Sequence, residues 1–309
     1  MKKFWCGFAL LFLCILSVPA LSVKADAANK GTESEQGYTG WKTKKGEKYY
    51  YLDGVMQKKW QVIQGKKYYF NKKGMMLTGW QKINTKWYQF SKKGVYLGRT
   101  RKKTIVLDPG HSARMTGGTE PLGPGASQQK AKDATGTQGI ATNVAEYKLT
   151  LVIAKKVKKE LESRGYRVLM TRTTNRKAIS CKERAMVANR AGADAFIRIH
   201  ANGSGDLGVH GAMTICTTGN SPYVSKSLSQ KSKKLSSALL DAYVKATGAR
   251  KEYVWETDSM SGNNWSKVPA AIIEMGYMTN PTEDRRMQTA IYQKRMVKGI
   301  ANGIDEYFR

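Results

Sequence analysis

Three side chains suited to catalysis or metal binding, His111, His200 and Glu274, each follow a short apolar run of the chain. Each run has the length and composition of a buried β-strand. Ligand sites of α/β folds lie beyond the carboxyl ends of the parallel strands. The sequence therefore predicts that the two histidines and the glutamate meet at one edge of a sheet. The Pro109-Gly110 pair favours a turn that places the His111 imidazole at the exit of its strand.

Two histidines beside carboxylates suggest a metal centre. A catalytic zinc site takes three protein ligands from His and Asp or Glu and keeps a fourth position for water. With His111 and His200 as two ligands, the third is a carboxylate or His210, the last of the three histidines. Glu146 is the preferred carboxylate because it begins a predicted helix, whereas Glu120 lies in a loop rich in Gly and Pro. The alternative role of Glu146 is to complement the helix N-terminus, and His210 is expected on the substrate side or at the surface.

Glu274 then remains as the candidate general base. A carboxylate at this place would take the proton of an attacking water and return it to the leaving group, which contributes about 10²–10⁴-fold to rate. The alternative is a structural carboxylate at a strand end, paired with a nearby Lys or Arg. The residues alone leave both roles open.

Alternating strand and helix patterns over residues 104–309 would hold these side chains. The predicted strands are 104–107, 166–170, 195–199, 212–216 and 270–273, and the predicted helices are 146–164, 180–191, 222–245 and 281–307. This alternation predicts a three-layer α/β/α domain with a central, mostly parallel sheet. Residues 112–145 are rich in Gly, Thr, Ala and Lys, and we expect a flexible flap over the cleft.

The N-terminus has the pattern of a secretory signal peptide. Two lysines precede an apolar run over residues 4–18, and small residues follow. A membrane-spanning helix needs about 20 apolar residues, so this run is too short for one. We predict a signal peptide over residues 1–27, cleaved after Ala25 or Ala27, rather than an uncleaved anchor. The mature chain is then expected to be secreted, with no stable membrane span.

The chain is strongly basic, with 53 Lys+Arg against 23 Asp+Glu and a formal charge of +30. Inside a cell such a charge would suggest nucleic acid, and outside it another polyanion. Cleavage after Ala25 removes three lysines, which lowers the charge from +30 to +27 and leaves the mature chain strongly cationic. Because this chain would act outside the cytoplasm, we expect no nucleic-acid partner. Of the four cysteines, Cys181 and Cys216 remain, expected as two buried thiols with a disulfide as the alternative.

A repeat of about 20 residues begins at Gly40, after a polar linker over residues 28–39. Trp41, Trp60 and Trp80 are each followed by an aromatic run and then by a glycine. This pattern predicts one short β-hairpin per unit, stacked as a small solenoid over residues 40–99. The aromatic rings would form a core, or shallow sites for cations and sugars. The units resemble the choline-binding and cell-wall-binding repeats of Gram-positive surface proteins, which implies attachment to the wall. The resemblance does not fix the ligand, and we expect an anionic wall polymer, with choline or teichoic acid as the candidates.

Several motifs over residues 104–309 occur in an order that carries a second resemblance. They are Asp108-Pro109-Gly110-His111, Glu146-Tyr147-Lys148-Leu149-Thr150-Leu151, Thr171-Arg172, Glu183-Arg184-Ala185, Arg198-Ile199-His200-Ala201-Asn202 and Ile273-Glu274-Met275-Gly276-Tyr277. Together they resemble the zinc-dependent N-acetylmuramoyl-L-alanine amidase family called amidase 3. The resemblance implies that His111, Glu146 and His200 bind Zn²⁺ and that Glu274 is catalytic. It also implies hydrolysis of the amide between N-acetylmuramic acid and the L-alanine of the stem peptide.

The expected protein is therefore a secreted, autolysin-type hydrolase whose substrate is the peptidoglycan of a Gram-positive type of cell wall. Its positive charge would retain it on teichoic-acid phosphates and peptidoglycan carboxylates. One alternative is a glycosidase that uses Glu146 and Glu274 as its two carboxylates, which would leave both histidines without a role. The other is a non-catalytic wall-binding protein.

Overall fold

The computed structural model describes residues 37–84, 86–98 and 103–309. The described chain falls into two compact units, residues 37–57 and Lys58–Arg309. The predicted signal peptide and most of the predicted linker lie outside the described residues. Within the described ranges, none of the helices combines the length and the apolar composition that crossing a membrane requires.

The first unit is a small antiparallel sheet. Its strands are β1 (Gly40–Lys44), β2 (Glu47–Leu52) and β3 (Val55–Met56). Lys45 and Gly46 join the first two strands with φ values of 52° and 82°, as a two-residue hairpin turn requires. Trp41 and Tyr50 lie opposite each other, with ring centroids 5.2 Å apart, so the aromatic pair stabilises the hairpin.

Two further hairpins open the second unit. Their strands are β4 (Lys59–Ile63), β5 (Lys66–Phe70), β6 (Gly79–Ile83), β7 (Lys86–Phe90) and β8 (Tyr96–Gly98). Trp60 joins the two hairpins, with its ring centroid 5.2 Å from that of Tyr88 and 5.1 Å from that of Tyr96. The Lys67 ammonium lies 4.6 Å from the centroid of Trp60. The prediction of one hairpin for each repeat is confirmed, and the rings of this pair of hairpins pack on one another.

The α/β domain follows. Its strands are β9 (Thr104–Pro109), β10 (Thr119–Pro121), β11 (Gln129–Ala131), β12 (Arg167–Met170), β13 (Ala195–Asn202), β14 (Ala212–Cys216), β15 (Lys251–Glu256) and β16 (Ala270–Tyr277). Its helices are α1 (Glu146–Ser163), α2 (Cys181–Arg190), α3 (Lys226–Thr247), α4 (Ser261–Asn264), α5 (Pro281–Gln288) and α6 (Ala290–Tyr307). The six-stranded sheet has the order β12-β9-β13-β16-β14-β15, and only the β14–β16 pair is antiparallel. The predicted three-layer fold with a mostly parallel sheet is confirmed.

The two faces of this sheet pack against different helices. One face packs on α1, α3 and α6 and holds the larger apolar core, which includes Ile197 and Ile273. The other face packs on α2 and α4 through a smaller cluster that includes Phe196. Because successive residues of a strand point to opposite faces, His200 and Glu274 lie on the face of Phe196. We call this the α2/α4 face.

Several element boundaries differ from the sequence prediction. Strands β13 and β16 extend past the apolar runs, so His200 and Glu274 lie inside their strands and not after them. The predicted helix start at Pro222 is wrong, because the Ser225 hydroxyl accepts a hydrogen bond from the Leu228 N–H and caps α3 there. The prediction of one long helix over residues 281–307 is also wrong. Thr289 is extended, with ψ of 140°, and divides it into α5 and α6.

Residues 112–145 have a defined fold over the α2/α4 face. They contain the two-stranded ribbon of β10 and β11. The Trp265 indole N–H donates to the Pro121 carbonyl at 2.8 Å, and the Lys130 ammonium donates to the Ser259 carbonyl at 2.5 Å. We expected a flexible flap here. Instead, β10 and β11 are each hydrogen-bonded to a residue that flanks α4.

Candidate active site

Three of the four predicted site residues form one cluster. His111 follows β9, Glu146 is the first residue of α1, and His200 lies in β13. His200 Nδ1 is 3.1 Å from His111 Nε2 and 3.1 Å from Glu146 Oε1. His111 Nε2 is 3.2 Å from Glu146 Oε2. Two imidazole nitrogens and one carboxylate therefore converge on a single point.

Hydrogen bonds to neighbouring backbone groups orient the residues of this cluster. His111 Nδ1 lies 2.7 Å from the Ala134 carbonyl, which can only accept, so Nδ1 carries the proton and Nε2 presents a lone pair. Glu146 accepts hydrogen bonds from the backbone N–H groups of Thr137 (2.9 Å) and Ala201 (3.1 Å). These bonds hold both carboxylate oxygens toward the histidines, as outer-shell partners do at metal sites.

The pKa shifts favour the protonation states that a metal site needs. Burial lowers the pKa of His200 to about 4, which keeps its ring neutral at neutral pH. Burial opposes ionisation of Glu146, but the close contacts of its carboxylate with the His111 and His200 rings outweigh that effect and hold its pKa well below the usual range. A neutral imidazole and an ionised carboxylate are the forms that bind metal ions.

The cluster fits a zinc ion. A tetrahedral centre with bonds of about 2.0–2.1 Å places its ligand atoms about 3.3 Å apart, close to the separations of 3.1–3.2 Å found here. The lone pair of His111 Nε2 also faces the Glu146 carboxylate, and two acceptors at this distance repel each other unless a cation or a proton lies between them. The chain therefore supplies the donor set and the spacing for a divalent metal.

Two glycines allow the ligands to approach. A β-carbon at Gly136 would lie 2.6 Å from Glu146 Oε2 and 2.7 Å from His111 Cδ2. A β-carbon at Gly110 would overlap the His200 ring. The backbone at both positions passes so close to the cluster that no side chain fits.

A buried ionic network holds the loop that carries His111. Asp108 is fully buried and accepts hydrogen bonds from Arg184 (2.8 Å) and Arg198 (2.9 Å). Burial disfavours its charge, but the two guanidinium groups lower its pKa well below the ordinary value. Arg184 also donates to the His111 carbonyl at 3.1 Å, where φ is 58°, and so stabilises a left-handed backbone.

Glu274 lies beside the cluster. It is the register partner of His200 on the neighbouring strand, and both line a cavity of about 290 Å³. Glu274 Oε2 is buried with no hydrogen-bond partner among the described residues. Burial, and next the charge of Glu146, raise the pKa of Glu274 well above its ordinary value. The cavity is further lined by Lys130, Ala131, Asp133, Ala134, Cys181, Arg184, Arg198, Ile215, Met260, Ser261 and Ile272.

The two alternative ligands are not in the cluster. Glu120 is buried and caps α2, since its Oε1 accepts the Lys182 N–H at 2.8 Å. His210 is exposed, and its Nδ1 lies 3.0 Å from the Gly208 carbonyl. The pairing of Asp108 with its arginines was not predicted, although an arginine within the apolar run Ile197-Arg198-Ile199 is a signal of buried charge. Cys181 and Cys216 are free.

The fold and the cluster first define a class: an α/β protein in which two histidines and a carboxylate can hold a metal ion beside a buried glutamate. Comparison with known proteins gives the family. The amidase 3 family, described as N-acetylmuramoyl-L-alanine amidase, matches residues 105–306, and the choline-binding repeat matches residues 57–95. The chain belongs to the N-acetylmuramoyl-L-alanine amidase family.

Individual relatives agree with this family. The probable cell wall amidase LytH of Staphylococcus epidermidis is 27% identical over 209 residues, which cover 67% of this chain and 58% of the relative. The N-acetylmuramoyl-L-alanine amidase LytC of Bacillus subtilis is 25% identical over 207 residues, covering 67% and 36%. The match thus spans less than two thirds of the length of these curated relatives.

Solved structures share the fold. The N-acetylmuramoyl-L-alanine amidase from Clostridium difficile 630 has 27% sequence identity and a TM-score of 0.55, covering 68% of this chain and 98% of that one. The catalytic domain of CwlV, an N-acetylmuramoyl-L-alanine amidase from Bacillus (Paenibacillus) polymyxa, has 26% identity and a TM-score of 0.54, covering 67% and 98%.

Proposed function

We propose that this chain is a secreted, zinc-dependent peptidoglycan amidase. It would cleave the bond between N-acetylmuramic acid and the L-alanine of the stem peptide, in autolysin-type turnover of the wall. The observation that carries the proposal is the convergence of His111, Glu146 and His200, at separations of 3.1–3.2 Å, beside a buried glutamate in a chain of this family.

Each site residue has one task in the proposed reaction. His111, Glu146 and His200 would hold the zinc ion, which when bound supplies Lewis acidity at the scissile carbonyl and lowers the pKa of water. Glu274 accepts the proton of the attacking water and then donates it to the leaving amine of L-alanine. Its Oε2 is available for this hydrogen bond because no described residue occupies it.

The arginine network positions these groups and does not react. Arg198 lines the cavity and binds Asp108 at 2.9 Å. Its positive charge partly offsets the effects of burial and of Glu146 on the pKa of Glu274. Arg198 thereby favours the ionised form of Glu274, the form that can accept a proton.

The rest of the chain would direct secretion and bind the enzyme to the cell wall. Residues 1–27 are proposed as a signal peptide, residues 28–39 as a linker and residues 104–309 as the catalytic domain. The repeats over residues 40–99 are proposed to hold the enzyme on wall polymers, supported by the match of the choline-binding repeat to residues 57–95. The proposed location is the outer face of a Gram-positive type of wall.

The decisive experiment digests purified peptidoglycan with the full chain and identifies the products by mass spectrometry. We expect stem peptides with a free L-alanine amino group, loss of this product in the presence of a chelator, and its recovery when zinc is added back. New reducing sugar ends would identify a glycosidase instead. Binding to the wall with no product would identify a wall-binding protein without catalysis.

A further inference from the structure

Two exposed aromatic side chains stand on the edge strand of the sheet, outside the metal cluster. Tyr253 is 57% exposed and Trp255 is 41% exposed. Among the described residues of the α/β domain, these two are its exposed large aromatic side chains. Both belong to β15, the last strand in the sheet order, and residues two apart on a strand point the same way about 7 Å apart. They therefore form one open pair of rings.

This aromatic pair lies on the α2/α4 face, the face that carries the cluster. Val254, between the two rings, packs against the larger core beneath α3 and α6. Alternation along the strand then places Tyr253 and Trp255 on the opposite face. Met213 and Ile215 of the neighbouring strand form an apolar cluster on that face with Ile272.

The strand register connects the aromatic pair with the cavity. One row across four neighbouring strands consists of Arg198, Ile272, Ile215 and Trp255. The first three members of the row line the cavity that also contains Glu274. Because neighbouring strands are about 4.8 Å apart, Trp255 stands about 10 Å along the sheet from Ile272. The apolar wall of the cavity therefore continues to an open tryptophan at the edge.

The charged groups of β15 are already engaged. Lys251 Nζ lies 2.6 Å from Asp241, Glu256 Oε1 lies 2.7 Å from Lys233 Nζ, and Glu252 Oε2 accepts from the Tyr277 hydroxyl at 3.0 Å. The strand thus presents two flat rings, and its charged side chains are each engaged in an ion pair or a hydrogen bond. Such a surface suits an uncharged ligand with flat apolar faces.

We propose that Tyr253 and Trp255 form a carbohydrate platform that seats the glycan chain of peptidoglycan next to the metal cluster. A pyranose ring stacks its C–H face on an aromatic ring, while the phenol O–H and indole N–H can bind its hydroxyl and acetamido groups. The stem peptide carries carboxylates, for which β15 has no unengaged cation. This inference rests on the proposed function, since it assigns one part of the same substrate to a defined surface.

The test titrates the full chain with a soluble tetrasaccharide of β-1,4-linked N-acetylglucosamine and measures affinity by calorimetry. Trp255→Ala is expected to weaken binding roughly tenfold, the factor that corresponds to the loss of one aromatic stacking contact. Trp255→Phe retains a ring and is expected to restore most of the affinity. Ile291→Ala removes an exposed apolar side chain from α6, on the other face of the sheet, and is expected to bind as the unaltered chain does.

Every result of this titration supports or overturns the inference. Unchanged affinity in Trp255→Ala, or no measurable binding by the unaltered chain, overturns it. If Trp255→Ala binds a free stem peptide more weakly but binds the glycan as the unaltered chain does, the inference is also overturned, because the two rings would then bind the peptide. If Trp255→Ala does not fold by circular dichroism, Tyr253→Ala takes its place.

The titration does not depend on hydrolysis, so the two proposals fail separately. If glycan binding depends on the Trp255 ring but no amide is cleaved, the proposed function is refuted and the carbohydrate platform is supported. If the amide is cleaved but glycan binding does not depend on the Trp255 ring, the proposed function is supported and the platform is refuted.

Discussion

At the scale of single residues, the pKa values of two carboxylates in one cleft are shifted in opposite directions. The close contacts with His111 and His200 hold the pKa of Glu146 low despite its burial. Burial and the charge of Glu146 raise the pKa of Glu274. Separate environments for two neighbouring carboxylates are how an active site assigns separate roles. Glu146 is suited to be a permanent anion, and Glu274 is suited to exchange a proton.

Replacement of Glu274, the proposed proton acceptor, should separate metal binding from hydrolysis. Glu274→Gln keeps the shape of the side chain but cannot take a proton, so amide cleavage should fall by about 10²–10⁴-fold. Bound zinc, measured by atomic absorption, should stay at the level of the unaltered chain because Glu274 is outside the ligand set. Glu120→Gln is the control, since Glu120 is buried but caps α2. Near-normal hydrolysis by Glu274→Gln would remove Glu274 from the mechanism.

Asp108 should govern acid stability. Arg184 and Arg198 lower its folded-state pKa, so its charge stabilises the fold above the ordinary aspartate pKa of about 4 and loses that contribution as the pH falls below it. Asp108→Asn leaves both buried guanidinium groups without their anion and should cost about 3–5 kcal/mol at neutral pH.

Urea unfolding across the acid range measures both effects. The unaltered chain should lose stability as the pH falls below about 4, whereas Asp108→Asn should start lower and show a flatter acid limb. Two parallel curves would mean that another carboxylate controls the acid limb.

At the scale of elements, the segment over residues 112–145 builds part of the cluster with its backbone. The Ala134 carbonyl fixes the His111 tautomer, and the Thr137 N–H binds Glu146. Gly136 stands between them with φ of 80°. This segment contributes no side chain to the cluster, and yet it orients two of the cluster residues, His111 and Glu146.

A matched pair of glycines can test this role. Gly136→Ala should weaken zinc binding by about 10–100-fold, as the loss of outer-shell support does, because its β-carbon would press on Glu146 and His111. Gly125→Ala has a similar φ of 76° but no atom within 4 Å of its β-carbon, so it should carry only the backbone strain. Chelator competition measures the zinc affinity of both variants. An equal loss in both would show strain in the segment and not crowding of the ligands.

Local patterns predict the elements that bring the cluster together but not the contacts that hold it. Apolar runs before His111 and His200 are visible in the sequence, and the topology of parallel strands then brings their ends together. The contacts of Ala134 and Gly136 with the cluster depend on how a long loop folds back, which has no local signal. The edge strand β15 was missed because three of its six residues are charged, so it lacks the apolar run by which the other strands of the sheet are recognised. The helix break at Thr289 was missed because threonine is tolerated inside helices.

At the scale of the whole molecule, the excess positive charge is partly gathered on the helical side opposite the α2/α4 face. Exposed cations of α3 and α6 line a groove of about 960 Å³. They are Lys245, Lys294, Arg295 and Lys298. The acids of this groove are engaged, since Asp241 pairs with Lys251 and Glu306 pairs with Lys92. Among the described residues, none of these four cations has an ion-pair partner, and such a row of cations attracts polyanions.

Charge reversal in this groove should reduce retention on the wall without affecting chemistry. Lys294→Glu/Lys298→Glu should lower the amount of protein that sediments with purified walls, and the remaining binding should depend less on salt because exposed charges are screened over about 8 Å. Hydrolysis of a small soluble muropeptide should stay unchanged. Lys155→Glu/Lys159→Glu makes the same change of net charge on α1 and is the control. Equal losses in the two double variants would assign retention to net charge, and no loss in either would leave the aromatic repeats as the anchor.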